Sequence, residues 1–137
     1  MRSDRAGYVY VAMAGSDDKA LQLLFPNDLD RDNRIEAGRP LALPRPAWRL
    51  RAGGPPGRNQ LLVLVTDGPR DLAPLAGQKA GPFVQSLNDG AGRAALGALL
   101  TRSRGADDAQ RCAGPGSRPV ECSDAYGAAM VQVEEVR

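Results

Sequence analysis

The chain contains no histidine, which removes the commonest physiological acid-base group and the commonest metal ligand together. Serine-histidine-aspartate and cysteine-histidine mechanisms go with it, so no enzymatic activity is expected. Lysine is scarce: of 18 basic residues only Lys19 and Lys79 are lysine, and the rest are arginine. A formal net charge of +2, with the cations scattered among 16 acids, excludes a nucleic-acid partner, which needs basic residues gathered on one face. The densest basic stretch, Arg45 to Arg58, reads as a solvated strand face. No apolar run approaches the roughly 20 residues that span a bilayer, and nothing near Met1 resembles a signal peptide, so no direct membrane insertion is expected. Met1-Arg2-Ser3-Asp4 reads as a start imposed on a longer chain. Neither a phosphate-cradling GxxxxGK[ST] nor a GxGxxG follows any strand, so no nucleotide or other cofactor is implied.

Aromatic residues are few as well: two Phe, one Trp and three Tyr. The core must therefore be built mainly from Val, Leu, Ala and Ile, and 137 residues suffice for one such core. Eleven prolines and 16 glycines crowd the stretches between apolar runs, the pattern of a β domain with many turns.

Gly7 to Ala14 alternates β-branched and aromatic residues, turns at Gly15-Ser16-Asp17-Asp18, and resumes at Ala20 to Phe25 before Pro26-Asn27. This predicts a hairpin. A polar loop from Asp28 to Asn33 leads to Ile35 and a short extended piece, Pro40 to Leu43. Ala47 to Ala52 alternates as a further strand, and the nearly continuous apolar run Gln60 to Thr66 predicts a central one. Asn88 or Asp89 can cap a helix over Ala91 to Thr101, weakened by Gly92 and Gly97. Arg102 to Ser123 is poor in apolar residues and reads as a long excursion. Gly127 to Val136 predicts a closing strand with Ala128, Met130 and Val131 or Val133 toward the core. The expected fold is mainly β: an antiparallel β-sandwich, immunoglobulin-like among its options, or a small barrel, with one inserted helix, as a single domain over 1–137.

Cys112 and Cys122 flank a turn-rich segment that can bring the sulfurs together, and we read them as a disulfide, which implies the periplasm or another extracytoplasmic location. Two unrelated thiols are the competing reading. A zinc site is excluded, because two thiolates without histidine leave a tetrahedral site half empty. Asp28, Asp30, Asp32 and Asn33 match the first half of a calcium loop, with oxygen ligands at alternate positions. The match fails at its twelfth position, where Arg39 replaces the bidentate glutamate, and Arg31 and Arg34 repel a cation. A turn in which Asp and Asn side chains satisfy backbone amides explains the same residues. Trp48 fits either an interface anchor or a half-buried core position. The pairs Asp17/Asp18 and Asp107/Asp108 read as solvated loops.

Gly7-Tyr8-Val9-Tyr10, Leu23-Leu24-Phe25-Pro26-Asn27, Asp32-Asn33-Arg34-Ile35 with Gly38, Leu43-Pro44 and Leu61 to Val65 occur in an order that resembles a bacterial domain-of-unknown-function family, the one numbered 4384. The resemblance covers Gly7 to Leu72, the β-rich part. The remainder, 73–137, holds the helix, the cysteine loop and the closing strand. The resemblance implies an accessory module at the C-terminal end of bacterial Ser/Thr protein kinases and of envelope or secretion-associated proteins, and it brings no catalytic residues. Two functions follow as expectations. One is a non-catalytic extracytoplasmic sensor that binds a protein or small ligand through Asp28, Asp30, Asp32, Asn33 and Trp48. The other is a structural interaction module of an envelope or secretion assembly, such as type VI, that recognises a protein through an exposed sheet edge. Calcium binding by Asp28, Asp30 and Asp32 is a third. The oligomeric state is not legible in the residues.

Overall fold

The computed structural model describes residues 1–51, 55–72, 77–101 and 126–136. Its first strand, β1 (Gly7–Ala14), starts at the residue type that fits there: a Cβ on Gly7 would lie 2.2 Å from the Thr66 carbonyl oxygen. Thr66 ends β4 (Gly57–Thr66), which pairs antiparallel with β1 from Tyr8↔Thr66 to Ala14↔Gln60. Gly7→Ala is expected to push these strands apart and to cost about 1–3 kcal/mol, the usual range for overpacking, read as a lower urea midpoint at unchanged slope.

The other edge of β1 takes β2 (Ala20–Phe25) through the predicted hairpin. Its turn is closed by Asp18 N–H donating to the Gly15 carbonyl at 3.0 Å, while the Asp17 carboxylate accepts from Lys19 N–H at 3.2 Å. The pairing shifts between Val11↔Phe25 and Ala12↔Leu23, leaving Leu24 as an extra residue. A bulge of this kind decides what three consecutive apolar residues can do. In a regular strand Leu24 would face away from both Leu23 and Phe25. Here Leu24 and Phe25 join Val9, Val11, Ile35 and Trp48, while Leu23 joins Leu72, Val84, Ala95 and Leu96 on the opposite face.

The described residues hold five further elements: β3 (Arg34–Ile35), β5 (Gln78–Ala80), β6 (Phe83–Leu87), α1 (Gly90–Thr101) and β7 (Tyr126–Glu135). The strand order is β5-β6-β2-β1-β4-β7, with β3 beside the start of β1, and every pairing is antiparallel. Among the described residues the mainly antiparallel β fold with one helix is thus as predicted. The barrel is not formed: the sheet is open, with β5 at one edge and β7 at the other.

Each face has its own cover. On one, Val9, Val11, Met13, Leu61, Val63 and Val65 lie under the irregular segment 36–50, which contributes Leu41, Leu43 and Trp48. That segment is tied to the N-terminus by the Arg2–Pro40 bridge and by Leu41 N–H donating to the Met1 carbonyl at 2.8 Å. On the other face α1 packs Ala95 and Leu96 against Leu23 and Val84. Asp89, one of the two predicted caps, starts this helix, its carboxylate accepting from Gly92 N–H at 2.8 Å. Gly92 is required by the close approach of the helix to β6, because a Cβ there would meet the Leu87 carbonyl oxygen at 2.0 Å.

Two expectations are corrected, and one hairpin was not foreseen. The alternating stretch from Ala47 is not a strand through Arg51, and Ala52 lies outside the described residues. Pro44 and Pro46 remove ladder donors, and a turn with Trp48 N–H donating to the Arg45 carbonyl at 3.1 Å sends the indole inward. The β5–β6 hairpin was not predicted, because Gln78, Lys79, Gln85 and Ser86 dilute its apolar pattern. The last strand pairs as predicted, but Ala128, Met130, Val131 and Val133 are exposed rather than core. An edge strand lies beyond the reach of the 36–50 cover.

Candidate functional site

β2 and β3 are two parts of one interrupted partner of β1, paired at Val11↔Phe25 and again at Tyr8↔Arg34. Residues 26–33 loop out between them. Two hydrogen bonds close the stem: Val9 N–H donates to the Asn33 carbonyl at 2.7 Å, and the Asn33 side-chain amide donates to the Val9 carbonyl at 3.0 Å. At the loop entrance Asn27 is buried. Its Oδ1 accepts from Leu29 and Asp30 N–H at 2.9 and 3.0 Å, and its Nδ2 donates to the Leu24 carbonyl at 2.9 Å. The Asn of the Phe-Pro-Asn run thus satisfies backbone groups of the loop and of the end of β2.

Asp30 turns inward, its side chain only 9% exposed. Arg45 grips it with both arms of its guanidinium, Nε donating at 2.7 Å, and Trp48 Nε1 donates to the same carboxylate at 3.0 Å. Arg45 also donates to the Asp32 carbonyl and lies 5.4 Å from the Phe25 ring centroid. Trp48, 5% exposed, stacks with Phe25 at 6.2 Å between ring centroids and meets Phe83 in a T-shaped pair at 5.8 Å. Burial pulls the Asp30 carboxyl upward, but hydrogen bonds from Arg45 and Trp48 and the Arg45 charge together hold it below its ordinary 3.8. Asp28 is exposed and bonds Lys79 at 2.8 and 2.9 Å; that contact, against a smaller burial effect, lowers its pKa, with help from the Lys79 and Arg31 charges. Asp32 is exposed and accepts from Arg34 N–H at 3.4 Å.

The five residues nominated in sequence do not form one contact surface. Asp30 and Trp48 are enclosed against each other, and the Asn33 amide closes the loop stem. Asp28 and Asp32 remain outside. The carboxylates of the calcium reading are held by different partners, Lys79 for Asp28 and Arg45 for Asp30, and no cluster of three metal-binding side chains occurs among the described residues. Trp48 belongs to the core. Cys112 and Cys122 lie outside the described residues.

The opposite feature of the sheet is open. β7 pairs with β4 in unbroken register from Thr66↔Tyr126 to Gly57↔Glu135, and among the described residues no strand pairs with its outer edge. Met130 is 61% exposed, Val131 45% and Val133 44%. Clefts flank the strand at both ends of the face covered by segment 36–50. One, of about 690 Å³, is floored by Val63, Val65, Gly127 and Ala129; the other, of about 660 Å³, is floored by Met13, Leu61 and Val133. Sequence reasoning missed the edge because strand order is invisible along the chain. Its signal was the absence of lysine, arginine and proline from Tyr126 to Glu135, the residues that usually block an edge.

These features define the class: a small, open-sheet β domain with an internally braced loop and a long exposed edge strand. The chain belongs to the family described as Domain of unknown function (DUF4384), whose model matches residues 1–69, just over half of the 137. The match takes in β1 to β4, the Asp30–Arg45–Trp48 hub and the cover segment. No curated protein and no solved structure matches the chain.

Proposed function

We propose that this domain is a non-catalytic protein-interaction module that receives an extended segment of a partner protein along β7. The observation that supports this reading is the ten-residue edge strand, paired on one side only among the described residues and exposed along nearly all its length. Its outward N–H and C=O groups are complementary to another strand and to little else. The exposed Met130, Val131 and Val133 supply apolar contacts, and Glu134 and Glu135 favour a basic residue at that end of the guest strand.

A photo-crosslinking residue in place of Met130, in cells that normally make the protein, is expected to yield one discrete protein adduct. Ala129→Pro, which disturbs the edge, is expected to abolish it. No adduct, or one indifferent to the proline, contradicts the reading.

The family resemblance supports a setting in which the module is an accessory part of a bacterial Ser/Thr kinase or of an envelope or secretion assembly. An extracytoplasmic placement rests on the Cys112–Cys122 disulfide. Thiol titration of denatured protein made in an oxidising compartment is expected to count none before reduction and two after it, the full cysteine content. Two from the start removes the basis for that placement.

A further inference from the structure

We infer that the outer side of the braced loop, away from the β7 edge, binds a small organic anion with an apolar body. The loop forms one wall of a cleft of about 670 Å³. Its floor is the sheet face that α1 covers farther along: half-buried Tyr8 together with Leu23 and Val84. Arg31 and Arg34 stand on the loop side and Lys79 on the β5 side.

The charge balance is one-sided. Arg31, Arg34 and Lys79 line the cleft, and Asp28 is the one carboxylate among its described lining residues. Lys79 bonds Asp28 at 2.8 Å and Arg31 approaches it at 3.9 Å, so a single carboxylate is shared by two cations. The Arg34 guanidinium makes no ion pair or side-chain hydrogen bond among the described residues. A concave site lined by one sign of charge focuses potential toward its interior. The scaffold is also fixed before any ligand arrives, since Asn27 and Asn33 lock both ends of the loop. A guanidinium favours a planar or tetrahedral oxyanion, and the tyrosine and aliphatic floor favours an apolar body beside it. A cleft of this volume accommodates a molecule the size of a capped dipeptide. The recognised chemistry is therefore a carboxylate or phosphate head on an aromatic or aliphatic body.

The test uses the full chain labelled with nitrogen-15 and three probes: acetyl-Leu-Phe with a free C-terminal carboxylate, the same dipeptide as its amide, and inorganic phosphate. The carboxylate form is expected to shift the amides of Tyr8, Arg31 to Arg34 and Lys79 saturably, with binding at least about tenfold tighter than the amide form and weaker in high salt. Competition by phosphate assigns recognition to the oxyanion head in general; binding of the dipeptide acid without competition assigns it to the carboxylate. Arg34→Gln is expected to weaken binding about tenfold while leaving the rest of the spectrum in place, and Ala129→Pro to leave it unchanged. The inference is overturned if no probe shifts these amides up to about 10 mM, if acid and amide bind alike, or if Arg34→Gln binds as the parent does.

Discussion

Trp48→Ala is expected to remove about 3–5 kcal/mol of stability, the range for deleting a large buried aromatic. The indole fills the space between the sheet and the 36–50 cover, stacked with Phe25 and in a T-shaped arrangement with Phe83. Truncation also leaves Asp30 without its Nε1 donor. A loss of this size is a large part of the stability of any domain of this length. The measurement is chemical denaturation followed by circular dichroism, since Trp48 is the one tryptophan and its fluorescence disappears with it. Trp48→Phe separates the two contributions: it keeps most of the apolar volume, loses the hydrogen bond, and should cost about 1–2 kcal/mol. Equal losses for both variants would contradict the packing role assigned to the indole.

Asp30→Ala is expected to cost about 2–3 kcal/mol. The lower part of the range for broken enclosed ion pairs applies because the Arg45 side chain remains 31% exposed and can recover some hydration. Its pH signature is distinctive. The folded-state pKa of Asp30 lies below the ordinary 3.8, so the carboxylate's contribution is fully present above that value. It is lost as the pH falls from there through the lower folded-state pKa. The parent should therefore lose stability on acidification through this window, and Asp30→Asn should show a shallower acid limb over the same window. Asp28, whose partners are all in solvent, should contribute little to that limb. An unchanged acid limb in Asp30→Asn would place the acid sensitivity elsewhere in the chain.

Three of the five residues nominated for binding, Asp30, Asn33 and Trp48, brace the fold instead, and the reason is physical. Alternating aspartates in a loop satisfy either a cation or the chain's own donors, and local spacing does not distinguish the two. Arg45 and Trp48, 15 and 18 residues downstream of Asp30, decide the matter by arriving from another segment. Asn27 shows the reverse: its turn-forming role was legible because its partners are the local backbone.

By itself, the sequence determined what depends on near neighbours and on composition. The alternation of Gly7 to Ala14 and Ala20 to Phe25 specified a hairpin, because side chains two apart share a face. Gln60 to Thr66 specified a central strand, and Asp89 a helix start. The glycines and prolines specified a turn-rich β fold, and the ordered motifs specified the family. Only the tertiary structure decided strand order, and with it that Val131 and Val133 lie on an open edge while the equally apolar Val9 and Val11 lie in the core. Burial depends on what arrives from distant segments, and a hydrophobic pattern records only that a face is apolar, not whether anything in the chain covers it.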